Sequence, residues 1–203
     1  MSRAPTGGRR ADAVRNRQLA LDAATALLTE PATTLTVEAI AKRAGLGAGT
    51  VVRAFGGKDA LLDAAVSSLL RPLVDRAKQL LEEAKPEQAL RTFLAELMDF
   101  QSAYHGISHE LRGLAVPATT ELRAELERVA REMIAGAQRA GTIRTDLDAD
   151  TLAGLTGRTA FAIARSDGAL AGAYLTVLMD GLRPPRTEPD DAPGRDRARR
   201  KGR

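Results

Sequence analysis

The chain has 203 residues, of which 44% are hydrophobic, 28% are charged and only 3% are aromatic. These proportions are typical of a soluble globular protein of one or two domains. A core with so few aromatic residues must be built from Leu, Ala, Val and Ile, which favours packed helices and argues against an all-β fold. Cysteine is absent, so disulfides, thiolate nucleophiles and zinc fingers are excluded.

The net charge of +4 is unevenly distributed along the chain. Residues 1–60 carry a formal charge of +4, residues 61–183 a charge of −3 and residues 184–203 a charge of +3. A basic N-terminal portion on a mildly acidic body indicates a polyanionic partner, because Lys and Arg supply most of the non-specific affinity for nucleic acids. A solvated basic surface with no partner is the alternative reading of the charge alone.

The sequence contains no recognisable targeting or membrane-spanning segment. Residues 1–10 are basic and Gly-rich with no apolar stretch behind them. No run approaches the ~18 consecutive apolar residues that a membrane helix needs. We therefore expect a soluble, cytoplasmic protein with no membrane partner.

Hydrophobic periodicity predicts three helices in the N-terminal part, over about 11–29, 36–44 and 48–55. Thr36 can cap the second helix, because its hydroxyl can accept a hydrogen bond from a free backbone N–H. Gly45 can end that helix in a left-handed conformation. The order of helix, glycine-containing turn and short helix is the pattern of a helix-turn-helix motif.

The pattern remains helical as far as residue 183. A long amphipathic helix begins at Lys58 or Asp59 and runs to about Ala84, and Pro72 should bend it without ending it. About nine helices are predicted in all. The later ones are expected at 87–103, at 105–115, at 118–140, from a cap at Asp148 or Asp150 to about 166, and from 168 to about 181.

The segment from Ala20 to Leu62 resembles the DNA-binding domain of the TetR family of transcriptional regulators. The resemblance covers about 45 positions and is carried mainly by the stretch LTVEAIAKRAGLGAGTVVRAFGGKDALL over residues 35–62. The closing stretch from Tyr174 to Arg183 is similar to the family's last dimer helix. The resemblance implies a ligand-responsive regulator that binds a palindromic operator in double-stranded DNA as a homodimer, and we expect a repressor.

An all-α fold of two domains between two charged tails follows from the pattern and the resemblance. We expect a disordered basic tail over 1–10, a three-helix helix-turn-helix DNA-binding domain over 11–57, a helical effector-binding and dimerisation domain over 58–183, and a disordered charged tail over 184–203.

In a helix-turn-helix the second helix of the motif presents its N-terminal residues to the major groove. Gly49 would allow a close approach, Ala48 or Val51 could meet a thymine methyl, and Arg53 would be the long donor for a guanine edge. The resemblance assigns phosphate contacts to Thr36, Thr50 and Lys58.

The sequence departs from the family pattern at three positions. Val52 and Ala54 stand where family members usually carry an aromatic residue and often a histidine, and Gly47 replaces a serine-type cap. We therefore expect DNA affinity to rest more on Arg15, Arg17 and the basic tail. These departures support a second hypothesis, a helical small-molecule-binding protein whose sequence-specific DNA binding is weakened or lost.

The resemblance also implies a pocket for a small molecule, whose identity it leaves open, among the later helices. The few aromatic residues cluster there, and adaptable apolar side chains suit a ligand cavity, although most could equally be core. The effector-binding candidates are Phe93, Leu97, Met98, Phe100, Tyr104, His109, Arg112, Met133 and Phe161.

Small residues recur on one face of the penultimate helix, where they would permit close contact with another helix. Such a face also occurs in monomer cores. The candidates for a four-helix dimer interface are Gly154, Gly157, Ala160 and Ala164, with Leu175, Leu178, Met179 and Leu182 on the last helix.

The sequence gives little support for a metal site, a nucleotide-binding loop or a hydrolase active site. His105 and His109 have metal-ligand spacing, but a polar pocket wall or a surface pair is the preferred interpretation. Gly57-Lys58 lacks the rest of a Walker loop, and no Ser lies in a Gly-x-Ser-x-Gly elbow. We therefore predict no enzyme, no metal and no cofactor.

Overall fold

The computed structural model describes residues 6–30, 35–104, 107, 111, 113–164 and 170–185. These residues form eight α-helices and no strand, so the prediction of an all-α fold is confirmed. Within these ranges no helix has the length and apolarity that crossing a bilayer requires. The helices are α1 (Thr6–Leu28), α2 (Val37–Ala44), α3 (Ala48–Phe55), α4 (Lys58–Glu83), α5 (Pro86–Ala103), α6 (Pro117–Arg139), α7 (Ala149–Ala164) and α8 (Ala171–Gly181).

One boundary differs clearly from the prediction. Helix α1 begins at Thr6, five residues before the expected start, so part of the predicted basic tail is helical. The early turns are exposed and carry no apolar periodicity, whereas Arg9 and Arg10 are good helix formers. Most of the predicted helix over 105–115 lies outside the described residues, but 113–115 are described and are not helical, because Gly113 adopts a left-handed conformation with a φ of 78°. The tail from 186 onward also lies outside the described residues.

Helices α1, α2 and α3 pack together as a three-helix head. The Thr36 hydroxyl oxygen accepts a hydrogen bond from the Ala39 N–H at 3.1 Å, which caps α2 as predicted. Gly45 ends α2 with a φ of 66°, a left-handed conformation that suits glycine. Ile40 and Val51 are buried between the helices. Capping and packing therefore fix the turn between α2 and α3.

Helix α4 connects the head to the rest of the protein, which we call the body. It packs against α1 and α3 on one side and against α5 and α6 on the other. Leu61, Leu62 and Ala65 are fully buried in these contacts. Pro72 lies inside α4, and the helix continues past it to Glu83 as expected. A single helix thus belongs to both halves of the fold.

A buried carboxylate fastens α6 to α4. Asp63 is only 7% exposed, and its two oxygens accept hydrogen bonds from the Ala118 N–H at 3.0 Å and the Thr119 N–H at 2.8 Å. These N–H groups lie in the first turn of α6, where they have no partner within the helix and where the helix dipole favours negative charge. One turn earlier, the Asp59 carboxylate accepts the Ala115 N–H at 3.4 Å. Asp63 therefore caps a helix that starts more than 50 residues later in the chain.

Helices α5 to α8 complete the body around α6. Leu90 and Leu94 of α5 and Ile134 of α6 are almost fully buried there. The Asp148 carboxylate accepts hydrogen bonds from the Thr151 N–H and hydroxyl, both at 2.8 Å, and so caps α7. Of the two predicted caps, Asp148 is the one that acts.

Replacing Asp63 with alanine should lower the free energy of unfolding by about 2–4 kcal/mol, because two N–H groups of α6, one buried and one partly buried, lose their acceptors. Asp63→Asn, which keeps one acceptor oxygen, should lower the free energy of unfolding by about 1–2 kcal/mol. Urea unfolding followed by circular dichroism measures both losses. Asp59→Ala is the matched control and should lose less than about 1 kcal/mol, since its contact is longer and more exposed. Equal losses at positions 59 and 63 would contradict the capping role of Asp63.

Stability should also depend on pH through Asp148. Hydrogen bonds from the Thr151 N–H, and then from its hydroxyl, hold the pKa of Asp148 below its usual range. A carboxyl whose pKa is lowered by folding stabilises the fold above its unfolded-state pKa and loses that contribution as the pH falls through its folded-state pKa. The stability advantage of the native chain over Asp148→Asn should therefore shrink between about pH 5 and pH 2. Urea unfolding at several pH values tests this, and a constant difference would contradict it.

Candidate functional site

Helix α3 presents an outward face of small and polar side chains. Gly49, Val52 and Arg53 are exposed, and Ala48 and Thr50 are partly buried. Arg53 Nη2 donates a hydrogen bond to Thr50 Oγ1 at 3.3 Å. A Cβ atom at Gly49 would lie 3.3 Å from Arg53 Nη1, so the glycine leaves room for the arginine to lie along the helix. This face has a low profile and one long hydrogen-bond donor.

Val51 does not belong to this face. Its side chain is 1% exposed and, like that of Phe55 one turn later, it lies in the core beneath α3. The prediction that Val51 meets a thymine methyl is therefore wrong, because a side chain enclosed by the protein has no surface to offer a base. Val52, which is 43% exposed, takes the outward position.

Arg17 of α1 holds the C-terminal end of α3. Its guanidinium carbon lies 4.0 Å from the centroid of the Phe55 ring, and Nη1 donates a hydrogen bond to the Ala54 carbonyl. The last carbonyls of a helix lack partners within it and attract cations. The structure thus gives Arg17 a local packing role beside its expected part in DNA affinity. Arg15 is exposed and lies 4.0 Å from the Asp12 carboxylate.

Thr36 and Lys58 lie at two helix N-termini of the polypeptide around α3. The Thr36 hydroxyl oxygen is engaged in capping α2, which leaves its hydrogen as a donor. Lys58 is the first residue of α4 and is partly buried. Helix N-termini favour anions, because their free N–H groups and the helix dipole point toward the ligand. Both positions are compatible with phosphate contacts.

A cavity of about 770 Å³ lies in the body between α4, α5, α6 and α7. This volume falls within the range of cavities that hold small molecules. Apolar side chains from the four helices form most of its floor. They include Val66, Leu70, Leu97, Phe100 and Leu126. Phe161 also lines the cavity and is 38% exposed.

Four of the predicted effector-binding residues line the cavity: Leu97, Phe100, Tyr104 and Phe161. The Phe100 and Tyr104 rings form an aromatic corner, with their centroids 4.8 Å apart. Gln101 contributes a polar group beside them. Its side-chain oxygen is buried and has no hydrogen-bond partner among the described residues.

The other predicted effector-binding residues are not brought to the cavity wall. Phe93, Met98 and Met133 are at most 2% exposed and fill the hydrophobic core, so the prediction that they line the pocket is wrong. Their side chains are enclosed by neighbouring helices and leave no surface for a ligand. His109 and Arg112 lie outside the described residues.

The charged mouth of the cavity was not predicted from the sequence. Arg123, Glu127 and Arg131 follow one another at intervals of four on α6, and Asp150 and Arg158 face them from α7. Spacing of four was a signal that the α6 residues share a helix face. Which cavity that face borders depends on tertiary packing, which the spacing does not contain. Arg131 and Asp150 form an ion pair across the mouth.

The small residues of α7 serve the protomer itself. Gly154 and Gly157 line the cavity, and a Cβ atom at Gly157 would meet nothing within 4 Å. Ala160 is fully buried in the core of its own protomer, so its assignment to a dimer interface is wrong. The side chain of Ala164 lies outside the described residues.

The apolar stripe of α8 also packs inward. Leu175, Met179 and Leu182 are at most 7% exposed within a single protomer, so most of their surface packs in the protomer's own core, and their assignment to the dimer interface stays a prediction. Leu178 is partly buried. Periodicity detects an apolar stripe but does not say which core the stripe joins.

An exposed apolar surface remains on α7 and α8, and we call it the α7–α8 face. Val177 is 71% exposed, and Leu155, Leu170 and Tyr174 are between 40% and 46% exposed. Ala162 is exposed on α7 as well. Large apolar side chains exposed on two helices that pack against each other are characteristic of interaction sites.

The structure offers no metal centre within the ranges it describes, where no group of three or more acidic or histidine side chains could hold an ion. His105 and His109 fall outside those ranges.

Two family models match the chain. One, described as bacterial regulatory proteins of the tetR family, matches residues 20–65, and the other, described as the C-terminal domain of SbtR-like transcriptional regulators, matches residues 85–184. Both describe regulators and neither describes an enzyme. A comparison with curated proteins gave no match.

Solved structures of regulators are similar over nearly their whole length. The TetR transcription regulatory protein from Mycobacterium vanbaalenii is 33% identical, with a TM-score of 0.61 over 86% of this chain and 98% of that one. A TetR transcriptional regulator from Streptomyces coelicolor is 30% identical, with a TM-score of 0.62 over 83% and 98%. The regulator FadR from Bacillus subtilis, solved with stearoyl-CoA, shares the fold at 19% identity, with a TM-score of 0.67 over 82% and 99%.

The matched segments contain the features described above. The first family model covers the α2–α3 turn and the outward face of α3, and the second covers most of the walls of the cavity and the α7–α8 face. Together with relatives of 30% identity or more, these matches show that the chain belongs to the TetR family of transcriptional regulators.

Proposed function

We propose that this protein is a homodimeric, ligand-responsive repressor whose two heads bind a palindromic operator in the bacterial cytoplasm. The observation that carries the proposal is the outward face of α3, which stands clear of the core on a helix whose C-terminal end is held in place. Gly56 ends α3 in a left-handed conformation, and Arg17 contacts its last turn. A low-profile helix of this kind fits the major groove.

Base contacts would come from four residues of α3. Ala48 and Gly49 permit close approach to the base edges, and Arg53 is long enough to donate two hydrogen bonds to a guanine. Val52 would supply the apolar contact with a thymine methyl that was expected of Val51. Its exposed position on α3 supports this assignment.

Phosphate contacts would position the head on the duplex without reading sequence. We assign them to Thr36, Thr50 and Lys58, together with the exposed arginines Arg9 and Arg10 at the start of α1. Because α1 is helical from Thr6, these two arginines are presented by a helix rather than by a loose tail.

The effect of ligand binding would be transmitted to the head through α6 and α4. A ligand in the cavity touches the inner face of α6, and Asp63 fastens the start of α6 to α4. Helix α4 in turn packs against α1 and α3. A ligand that binds one arrangement of these helices more tightly would shift the spacing of the two heads away from that of the operator half-sites.

The α7–α8 face would form the dimer interface. Two copies of these helices would bury the exposed side chains in a four-helix arrangement, which fits the preference of soluble oligomers for two-fold symmetry. The exposure of Val177 and Tyr174 in the single protomer supports this assignment.

A specific observation also favours the second hypothesis, a helical small-molecule-binding protein with weakened DNA binding. The N-cap of α3 is Gly47, which makes no side-chain hydrogen bond to the helix. The start of α3 is therefore less firmly held than a serine cap would allow, and Val52 and Ala54 supply no polar donors.

Selection of DNA from a random pool, followed by gel shifts at increasing salt concentration, separates the two hypotheses. A repressor should enrich an inverted repeat with half-sites on one face of the duplex and should keep its selectivity at high salt. Binding that is unselective and is lost as salt rises would support the second hypothesis and contradict the first.

Two substitutions test the roles of the head residues. Arg53→Ala should weaken the free energy of operator binding by about 1–3 kcal/mol. It should also relax the base preference at a single base pair in each half-site. Lys58→Ala should weaken binding to all sequences alike and reduce the slope of affinity against salt by about 1 per head. Gel shifts with the selected operator and single-base variants measure both effects. An Arg53→Ala variant with unchanged base preference would contradict the assignment.

The dimer face can be tested without DNA. Val177→Arg should weaken dimerisation by about tenfold or more, because it places an unpaired charge in an apolar interface. Thr176→Arg, on the polar side of α8 with Asp180, is the matched control and should leave the dimer intact. Analytical ultracentrifugation measures the dissociation constant of each variant. Equal effects of the two substitutions would contradict the assignment.

A further inference from the structure

The cavity has two kinds of wall. Its floor is apolar and includes Leu70, Leu97, Leu126 and the Phe100–Tyr104 corner. Its mouth carries charged side chains from α6 and α7, which are exposed to solvent. A molecule that matched both walls would be apolar at one end and charged at the other.

The charges at the mouth do not balance. Among the residues that the structure describes, three arginines and two carboxylates line it. The Arg131–Asp150 ion pair neutralises itself. Among the described residues, no ion pair or hydrogen bond engages Arg123, Arg158 or Glu127, so these three leave a net charge of +1 available to a ligand.

Arg158 is placed at the cavity wall by the glycine one turn before it. A Cβ atom at Gly154 would lie 3.3 Å from Arg158 Nη1 and 3.6 Å from Nη2, so the guanidinium lies over Gly154, which itself lines the cavity. Arg123 approaches the mouth from the opposite helix, α6. Two guanidinium groups from two helices thus border one opening.

We propose that the cavity binds an amphiphilic carboxylic acid with a single negative charge. Its carboxylate would lie between Arg123 and Arg158, which donate charge-assisted hydrogen bonds, and its aliphatic or aromatic body would pack on the floor. The net charge of +1 fits a monoanion, whereas a phosphate ester or nucleotide with several charges would be left uncompensated. The proposal deepens the proposed function, on which its regulatory meaning rests.

Gly157 completes this geometry. A Cβ atom added there would have nothing within 4 Å, and Gly157 itself lines the cavity. A helix-interior glycine costs roughly 1 kcal/mol relative to alanine, so a side chain would be expected in its place unless the space serves another purpose. The room beside Gly157 suits the apolar body of the ligand.

Calorimetric titration of the full chain with four probes tests the chemical class. Decanoate should bind about tenfold or more tightly than decanol of the same chain length, because only the acid engages the arginines. Decyltrimethylammonium should bind more weakly than decanol. Naphthalene-2-carboxylate distinguishes an aromatic from an aliphatic body by its affinity relative to decanoate, and tight binding of either acid supports the proposal.

Substitutions locate the carboxylate. Arg123→Gln and Arg158→Gln should each lower decanoate affinity about tenfold and leave decanol affinity unchanged. Glu127→Gln should raise decanoate affinity several-fold, because it removes a competing negative charge. Arg128→Gln is the matched control, since Arg128 lies on α6 outside the cavity and pairs with Glu125 and Glu132.

Gly157→Leu should weaken decanoate and decanol alike by filling the cavity. Circular dichroism confirms folding of each variant, and if an arginine variant fails to fold, the comparison of Glu127→Gln with Arg128→Gln decides.

Several results would overturn the proposal. In the ligand titration they are equal affinities for decanoate and decanol, preferential binding of the cation, or no binding of either acid. In the variants they are an unchanged decanoate affinity in both arginine variants, or an unchanged decanoate affinity in Glu127→Gln. The titrations contain no DNA, so they stand apart from the operator selection. Loss of operator selection with decanoate binding intact would contradict the proposed repressor and leave the ligand class standing.

Discussion

The hydrogen bonds between the Asp63 carboxylate and the first turn of α6 join the two halves of this protein. They satisfy one buried and one partly buried N–H group that would otherwise lack acceptors, and they do so with a charged group at the positive end of the helix dipole. Because Asp63 sits on α4, the helix that also packs against α1 and α3, the start of α6 cannot shift without either moving α4 or breaking these bonds. A movement of α6 in the body is therefore expected to move α4, which packs against the head.

Because the helices are connected in this way, the two candidate sites can be coupled although they lie apart. The face proposed to read DNA lies on α3, and the charged mouth of the cavity lies on α6 and α7, so neither site touches the other. Arg123 and Arg158 stand on opposite sides of the mouth, and a carboxylate between them would draw α6 and α7 together. The same movement would pull on Asp63, and through α4 it would reach the head.

The parts of the fold that were predicted correctly depend on local chemistry. Thr36 and Gly45 act within a few residues of themselves, so the bounds of α2 could be inferred from the sequence. Val51 lies four residues before Phe55, a spacing that already indicated an inward face, and the wrong assignment came from reading small apolar residues as base contacts. The hydrogen bonds of Asp63 to α6 and the position of Arg158 at the cavity depend on residues far away in the chain. No local sequence pattern predicts such contacts. The stripes on α7 and α8 were correctly seen as apolar, but periodicity does not distinguish a protomer's own core from its partner's.

Linkage between the two sites is the most direct test of this coupling. The affinity of decanoate should be measured for the free protein and for the protein bound to its selected operator, and the affinity of the operator with and without saturating decanoate. If the sites are coupled through α4, each ligand should weaken the other by the same factor, about 5–150-fold, and Asp63→Asn should reduce that factor. Decanoate that binds the free and the operator-bound protein equally well would contradict the coupling.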